Sequence, residues 1–270
     1  MSWLITPEFR GQAVASDADA QAYLRAVEIA DQQPLEAGVV TAVDNFVVGC
    51  KADGIWSAIK ASCILAGART LAGALVPLVG TAPTNFNFVA GDYDRETGLV
   101  GDGSTKYLDS NRNNNADPQN NNHNAVYSSV IPTDAVVNHV YMGVGPVTNE
   151  TGANNIIYTF TPTSPGPRFA FRNRTSTAYN ASSSTPVAGL LGTSRSLATS
   201  YDYRVFGAST SFSNGSETPR NANVIVFATE GGNVPTNARL AFYSIGESLD
   251  LAALDTRVSN LITAIGAAIP

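Results

Sequence analysis

The sequence predicts a mainly β protein: an antiparallel β-sandwich or jelly roll with a helical N-terminal section and a C-terminal helix. Within residues 81–247, short alternating runs of apolar and polar residues are separated by turns rich in Asn, Gly, Pro and Ser. Many short strands without intervening helices are typical of sandwiches and jelly rolls. Residues 1–80 and 248–270 instead carry apolar residues at helical spacing. We expect the first of these segments to serve attachment and assembly, and the second to pack on the fold.

Two helices are expected in the N-terminal section. Ser16 or Asp17 can cap the first helix, which should run to about Gln33. Pro34 suits the first turn of the second helix, which should end at Gly49 or shortly after it.

A third, short helix is expected over residues 53–60, with its apolar side chains pointing inward. The two cysteines, Cys50 and Cys63, are too few for a disulfide framework. We interpret them as small buried residues on helical segments, although a single bridge between them stays open.

Nine strands are expected in the central part of the chain. They cover Lys106–Asp109, Ala125–Val130, His139–Val144, Ile156–Phe160, Arg168–Arg172, Val187–Leu191, Tyr201–Phe206, Val224–Thr229 and Ala238–Ile245. Between the first two lies a stretch, residues 111–124, in which eight of fourteen residues are Asn. Because Asn bonds to its own backbone and tolerates left-handed conformations, this stretch predicts a loop.

The C-terminal segment predicts one amphipathic helix. Ser248 is the expected N-cap, and Asp250 lies near the positive end of the helix dipole. The apolar stripe consists of Leu251, Leu254, Val258, Leu261, Ile262, Ile265 and Ile269. An apolar stripe of this length must pack on another part of the protein.

The composition describes a polar but weakly charged surface. Only 14% of the residues are charged, and the chain has 23 Asn but three Lys, with a net charge of −6. A pI near 4.9 argues against a nucleic-acid partner. No basic leader and no apolar run long enough to span a membrane is visible. We therefore expect a product made and kept in a cytoplasm, or assembled there into a larger particle.

Catalytic motifs are absent from the sequence. The chain has two histidines. His123 is expected in the Asn-rich loop and exposed, and His139 is expected at the start of a strand. No nucleophile elbow, zinc-protease motif or phosphate loop occurs. We therefore predict no enzyme activity, no cofactor and no metal.

One cluster of carboxylates is dense enough to consider as a site. Asp92, Asp94, Glu96 and Asp102 lie close together in the sequence. Calcium binding or glycosidase carboxylates are the functional interpretations, but the spacing departs from an EF-hand loop, with Gly103 where the last ligand should be. Turn formation before a strand is the simpler interpretation.

Basic and aromatic residues alternate in Arg168–Arg174. Such a pattern can bind nucleic acid through stacking and phosphate contacts. A strand with Phe169 and Phe171 inward and its three arginines near water explains the pattern equally well. The acidic charge of the chain favours the strand.

Three segments, in this order, resemble known proteins. Residues 43–56 (VDNFVVGCKADGIW) resemble a helical segment of tailed-phage virion proteins, in which one helix ends at Gly-x-Lys-Ala and the Trp opens the next. Residues 98–108 (GLVGDGSTKYL) resemble the first sandwich strand of that family, with its Gly-Asp-Gly-Ser turn. Residues 240–249 (LAFYSIGESL) resemble the closing strand of concanavalin-A/laminin-G-like domains, which leads into a C-terminal helix.

The resemblance implies a virion structural protein of a tailed phage, of the cyanophage or marine type, with a concanavalin-A-like jelly roll. It further implies other virion proteins as partners, a homo-oligomer with a trimer favoured, and a virion location after assembly in the host cytoplasm. Head and tail, as capsid decoration or as tail fibre or appendage, stay open.

Two alternative functions remain beside a structural virion role. A non-catalytic carbohydrate-binding module can use the Asn-rich loop with Tyr179, Tyr201 and Tyr203, on the virion or elsewhere. A glycan hydrolase of the same fold is the weaker alternative.

The helical section has more apolar side chains than three short helices can bury, which predicts an assembly arm. Removal of residues 1–36 should then leave a folded domain. The alternative is that the section folds back on the sandwich as a second layer.

Overall fold

The computed structural model describes residues 14–131, 139–147, 150–159, 168–182, 188–205 and 207–270. In this part of the chain the helices are α1 (Ala18–Asp31), α2 (Ala37–Ala52), α3 (Leu71–Ala74) and α4 (Leu251–Ala268). The first strands are β1 (Ile59–Ile64), β2 (Thr84–Phe86), β3 (Tyr93–Asp94), β4 (Gly98–Val100), β5 (Tyr107–Asn113), β6 (Asn122–Val130), β7 (His139–Val144) and β8 (Asn154–Thr159). The later strands are β9 (Arg168–Asn173), β10 (Tyr179–Ser182), β11 (Gly189–Arg195), β12 (Ser200–Val205), β13 (Ala208–Ser213), β14 (Asn223–Val226) and β15 (Arg239–Gly246).

The strands form two antiparallel sheets that face each other. The first sheet has the order β13-β12-β11-β6-β15-β4-β3, and β1 pairs with β15 beside β4. The second has the order β10-β9-β8-β7-β14-β5-β2. Alternate side chains of both sheets, including Val126, Leu108 and Phe171, meet in one buried core. The predicted class, a jelly-roll β-sandwich with helices at both ends of the chain, is confirmed.

A helical layer, formed by α1, α2 and α4, covers the outer face of the first sheet. Strand alternation turns Ala125, Leu190 and Phe242 away from the inter-sheet core and toward these helices. The Phe46 and Phe242 rings meet edge to face, with their centroids 5.7 Å apart. The sandwich therefore has two apolar cores, one on each side of its first sheet.

The expected third helix over residues 53–60 is wrong. The chain makes only a short 3-10 helix, Trp56–Ala58, and then enters β1, where Cys63 lies opposite Tyr243. A short apolar run fits a strand as well as a helix, and the free edge of β15 decides between them. Cys50 lies on α2 as expected, Cys63 lies on a strand, and both are buried free thiols. Residue 80 is consequently not a boundary in the packing, since β1 belongs to the sheet.

The described part of the N-terminal section, residues 14–80, folds back on the sandwich instead of extending from it. Asp17 caps α1, and Tyr23, Leu24 and Val27 are buried in the core of the helical layer. Removal of residues 1–36 would delete α1 and expose that core, so we now expect the truncated chain to be destabilised. The assembly role expected for the section is a separate question.

The linker between the first two helices also differs from expectation. Pro34 lies before α2 and not in its first turn, because the helix begins only after Glu36. Leu35 is buried in the core, and the Glu36 carboxylate pairs with Arg95 at 2.6 Å. These two anchors hold the linker extended up to Ala37.

The C-terminal helix begins at a different cap from the expected one. Asp250 accepts hydrogen bonds from the backbone amides of Ala252 and Ala253, whereas Ser248 bonds to the side chain of Asn121. The helix buries Leu254, Val258 and Leu261 against α2 and the first sheet.

The Asn-rich stretch is only partly a loop. Strand β5 continues through Asn113 and β6 begins at Asn122, so residues 114–121 alone connect them. Its side chains bond to the neighbouring 214–222 connection, as when Asn113 Nδ2 donates to Asn221 Oδ1 at 2.9 Å.

Candidate binding surface at the edge of the second sheet

A stacked pair of aromatic rings lies at the edge of the second sheet, with Phe86 exposed and Tyr107 half-buried. Register places Phe86 of the edge strand β2 directly opposite Tyr107 of β5. Their rings are stacked, with centroids 4.3 Å apart and planes 12° from parallel. Phe86 retains 37% of its accessible surface. Leu108 is fully buried in the inter-sheet core, and strand alternation places Tyr107 on the other face of β5. Tyr107 is half-buried and also packs against the margin of that core, so the pair is open to solvent on the Phe86 side alone.

A carboxylate and its amides adjoin the ring pair on the same face. Register places Thr84 opposite Asp109, two positions along from the aromatic pair. Asn223 Nδ2 donates to both oxygens of Asp109, at 3.0 and 3.2 Å. The backbone N–H of Asn111 donates to Asp109 Oδ1 at 2.8 Å. Diagonal neighbours on one sheet face are about 7 Å apart, so rings and carboxylate are within reach of one small ligand.

We call this surface the edge strip. It consists of Thr84, Phe86, Tyr107, Asp109, Asn111 and Asn223. The strip continues toward one end of the sandwich, where Asn113 and Asn115 both donate to the side-chain oxygen of Asn221. An aromatic platform thus adjoins a row of amide groups with fixed orientation.

A turn beneath the platform fixes the Tyr107 ring. Residues 230–232 form a 3-10 turn, and a Cβ on Gly232 would collide with the Tyr107 ring. Gly232 also has a φ of 74°, in the left-handed region that glycine adopts without strain. Asn111 Nδ2 donates to Thr84 Oγ1 at 3.0 Å and to the Ala82 carbonyl at 2.9 Å, which secures the edge strand. The surface is therefore formed before any ligand arrives.

Two buried arginines brace the loops at the end of the sandwich next to the strip. The Arg174 guanidinium donates to the carbonyls of Pro118 and Asn114, and Arg195 donates to Asn173 O at 2.8 Å and Asn214 O at 3.1 Å. Burial lowers the pKa of Arg174 to about 10. These carbonyl contacts replace the lost water, so the arginine brace is structural.

The prediction for the strand of alternating arginine and aromatic residues is confirmed for the aromatic residues and wrong for two of the arginines. Phe169 and Phe171 point inward as predicted. Arg172 and Arg174, expected near water, are buried instead. Arg172 donates to the Val147 carbonyl at 2.8 Å. A backbone carbonyl of a neighbouring loop thus replaces water as the partner of the buried guanidinium.

The tyrosines expected to bind carbohydrate are not available for it. Tyr201 and Tyr203 are buried in the inter-sheet core, and Tyr201 donates its hydroxyl to the Phe171 carbonyl at 2.7 Å. The side chain of Tyr179 lies outside the described part of the structure. Phe86, stacked on the half-buried Tyr107, is instead the exposed aromatic ring of the edge strip.

The expected exposure of His123 is wrong. It lies buried on β6, where Nδ1 donates to the Glu247 carbonyl at 2.5 Å and Nε2 accepts from Ser244 Oγ at 2.7 Å. Burial lowers its pKa to about 4. His139 begins β7 as expected and is also buried. Both histidines are therefore enclosed by protein.

The carboxylate cluster forms turns. Asp94 Oδ1 accepts from the Thr97 N–H at 2.8 Å, and Asp102 Oδ1 accepts from the Thr105 N–H at 2.8 Å. Burial opposes the ionisation of Asp102, but backbone N–H bonds outweigh it and hold its pKa well below the usual range. Asp92 pairs with Lys106 at 2.6 Å. Across the described ranges, no group of three or more His, Cys, Asp and Glu residues is close enough to hold a metal ion.

A concave surface lies on the helical side of the molecule. A groove of about 460 Å³ runs between α1, the Trp56 turn and residues 77–79. Trp56 Nε1 donates to Asp19 at 3.1 Å, and Lys51 lies 5.7 Å from the ring centroid of Trp56. The Trp56 indole N–H and the Asp19 carboxylate of this groove are therefore engaged with each other.

No protein-family model and no curated protein sequence matches the chain. Among solved structures, a domain of tailspike protein 2 of bacteriophage CBA120 is 12% identical, over 69% of this chain and 30% of that one, with a TM-score of 0.46. The CBM40 of a Ruminococcus gnavus sialidase is 14% identical, over 51% and 83%, with a TM-score of 0.39. Mouse laminin α1 domains LG4-5 are 12% identical, over 65% and 47%, with a TM-score of 0.35. At these identities and TM-scores, none of the three carries an inference about the function of this chain.

The described helices include none with both the length and the apolar character needed to cross a bilayer.

Proposed function

We propose that the chain is a non-catalytic virion protein of a tailed phage that contacts a host-surface glycan through the edge strip. The observation that carries the glycan part is the exposed Phe86 ring, held in a stack on Tyr107 and bordered by Asp109 and Asn223. The virion part is supported by the resemblance of three sequence segments and by the lysine-poor, amide-rich composition.

The chemistry of the edge strip fits a sugar ring. One face of a pyranose carries C–H groups that gain from contact with an aromatic ring, because both surfaces leave water. The rim of the pyranose carries hydroxyls, for which the strip supplies the oriented carboxylate of Asp109 and the amide of Asn223. The strip is a shallow surface that allows a long polysaccharide to pass across it.

The helical layer is the proposed side of attachment to the particle. Its helices leave Ile29 and Val48 exposed, and Val14, just before α1, is exposed as well. We propose other virion proteins as the partners there, and a homo-oligomer, a trimer, as the assembled state. The location follows as the virion, after assembly in the host cytoplasm.

A glycan array tests the glycan part. The purified chain should bind a subset of bacterial surface polysaccharides, and Phe86→Ala should lower that signal at least about tenfold, ~1.4 kcal/mol. Val89→Ala is the matched control, because Val89 is 61% exposed close to the strip without joining the ring stack. Unchanged glycan binding by Phe86→Ala would refute the assigned surface. An equal loss of binding in Val89→Ala would refute it as well.

Labelling of intact particles tests the virion part. An antibody against the folded chain should decorate the head or the tail of the phage that encodes it. Ile29→Asp should reduce incorporation into particles, whereas Asn45→Asp, at another exposed position of the helical layer, should not. Particles that lack the chain altogether would contradict the virion role.

A further inference from the structure

From the charges around the edge strip, we infer that it binds neutral sugars and rejects acidic ones such as uronic and sialic acids. This inference rests on the proposed glycan contact and adds the class of sugar. It follows from which hydrogen-bonding groups and which cations the strip leaves available.

The strip presents accepting oxygens to a ligand. An ionised aspartate only accepts hydrogen bonds and has about four lone-pair positions. The Asn111 N–H and the Asn223 side-chain amide occupy Asp109 Oδ1, while Oδ2 receives one longer bond from Asn223. Asp109 Oδ2 therefore keeps capacity for a hydroxyl donor. A carboxylate on the ligand has no proton to offer at neutral pH.

No counter-charge offsets Asp109 within the described part of the chain. Its two described hydrogen-bond donors, Asn111 and Asn223, are both neutral. An anionic sugar seated on Phe86 would thus bring a second negative charge to the same sheet face, about 7 Å from the first. Like charges that close disfavour binding, and more strongly on a half-buried surface than in water.

The cations around the strip are already engaged. Lys106, next to Tyr107, pairs with Asp92 at 2.6 Å. Arg220 is shared between Glu150, at 2.6 Å, and Glu230, which lies in the turn under Tyr107. Specific recognition of an anion normally uses a guanidinium or ammonium group that faces the ligand. To release either cation, an anionic sugar would have to break an existing ion pair.

Matched sugars test this inference. The probes are gluco-, galacto- and manno-oligosaccharides and their C6-oxidised counterparts, which differ only by a carboxylate on each ring. Calorimetry should give at least about tenfold tighter binding for the neutral member of the pair that binds. The neutral affinity should also change little between about 0.05 and about 0.5 M salt, because no ion pair forms with the sugar.

Two variants identify the source of the selectivity. Asp109→Asn removes the charge and should bring the two members of a pair to within about threefold of each other, whereas Asp202→Asn, an exposed aspartate of the first sheet, should leave the ratio unchanged. If Asp109→Asn fails to fold, Thr84→Lys places a cation opposite Asp109 and should improve hexuronate binding about tenfold.

The outcomes separate the inference from the proposed function. A preference of the parent chain for neutral sugars that is lost in Asp109→Asn supports both the inference and the proposed glycan contact. Equal or tighter binding of the oxidised member by the parent chain overturns the inference and leaves glycan contact standing. The absence of binding to any glycan on the array or in the panel overturns both.

Discussion

The outer face of the first sheet is covered by the helical layer, whereas the outer face of the second sheet ends in an open strip of aromatic and amide groups. Phe242 and Phe86 show the contrast. Phe242 is fully buried under α2 and α4, while Phe86 stays 37% exposed at a sheet edge. Both rings have an aromatic partner: Phe242 meets Phe46 edge to face at 5.7 Å, and Phe86 stacks on Tyr107 at 4.3 Å. The presence of an aromatic partner therefore does not explain their difference in exposure.

The contrast indicates that the two faces serve different ends. Covering an apolar sheet face is worth about 25 cal/mol for each Å² removed from water, and the helical layer obtains that gain for the first sheet. The edge strip forgoes part of that gain, and hydrogen bonds from Asn111 and Asn223 fix the position of its polar groups. A rigid, exposed and partly aromatic surface is what a binding site requires.

The largest expected effect is a charge placed under the helical layer. Leu254 is fully buried, so Leu254→Asp should destabilise the protein by at least about 4 kcal/mol or prevent folding. Thr256→Asp, on the exposed side of the same helix, should cost less than about 1 kcal/mol. Urea unfolding measures both. A Leu254→Asp variant as stable as its parent would contradict the burial of the first sheet under the helical layer.

The anchor of α1 should give the next largest effect. Asp31 accepts hydrogen bonds from Thr70 N at 2.9 Å, Thr70 Oγ1 at 2.7 Å and Arg69 N at 2.7 Å. Asp31→Ala leaves these donors without their acceptor and should cost about 3 kcal/mol. Asp31→Asn keeps one accepting oxygen and should lose about half as much. Equal losses in both variants would mean that the charge, not the bonding pattern, anchors the helix.

The covered face should also carry a pH dependence through His123. Burial lowers its pKa from the ordinary 6.5 to about 4, so the unfolded chain binds the proton more readily than the folded one. Stability from this group is therefore complete above pH 6.5 and declines as the pH falls toward 4, by up to about 3 kcal/mol. Measuring the free energy of unfolding at several pH values, for the parent and for His123→Gln, isolates the pH dependence that His123 contributes. An NMR titration with a pKa near 6.5 would contradict it.

The smallest effect on stability is expected at the open edge. Phe86→Ala should cost about 1 kcal/mol or less, since the ring is partly exposed and borders no enclosed cavity. Its thermal midpoint should lie close to that of Val89→Ala, even though glycan binding is lost. A large loss of stability would make Phe86 a core residue and weaken the contrast between the faces.

The sequence predicted best where one periodic pattern dominates. Strand β7 has the predicted ends, and the α4 stripe residues Leu254 and Leu261 are buried. Prediction failed for β1, because its apolar run is short and only the partner strand β15 determines its conformation. His123 was misplaced because the burial of a polar strand end depends on loops that bond to it from elsewhere.

The edge strip could not be found from the sequence. Phe86 and Tyr107 are distant in the chain and meet only through the register of β2 and β5. The available signals were the Asn-rich stretch, which does border the strip, and an aromatic within a Thr-Asn-Phe-Asn segment that resembles a turn. Exposure separates Phe86 from Tyr201 and Tyr203, and exposure is a property of the folded sandwich.

The most direct test of the central claim is an NMR titration of the full chain with the neutral oligosaccharide that binds best. The account predicts that amide shifts concentrate on Thr84, Phe86, Asp109 and Asn223, with the helical layer unchanged. Shifts centred on α1, α2 or α4, with a silent edge strip, would contradict it.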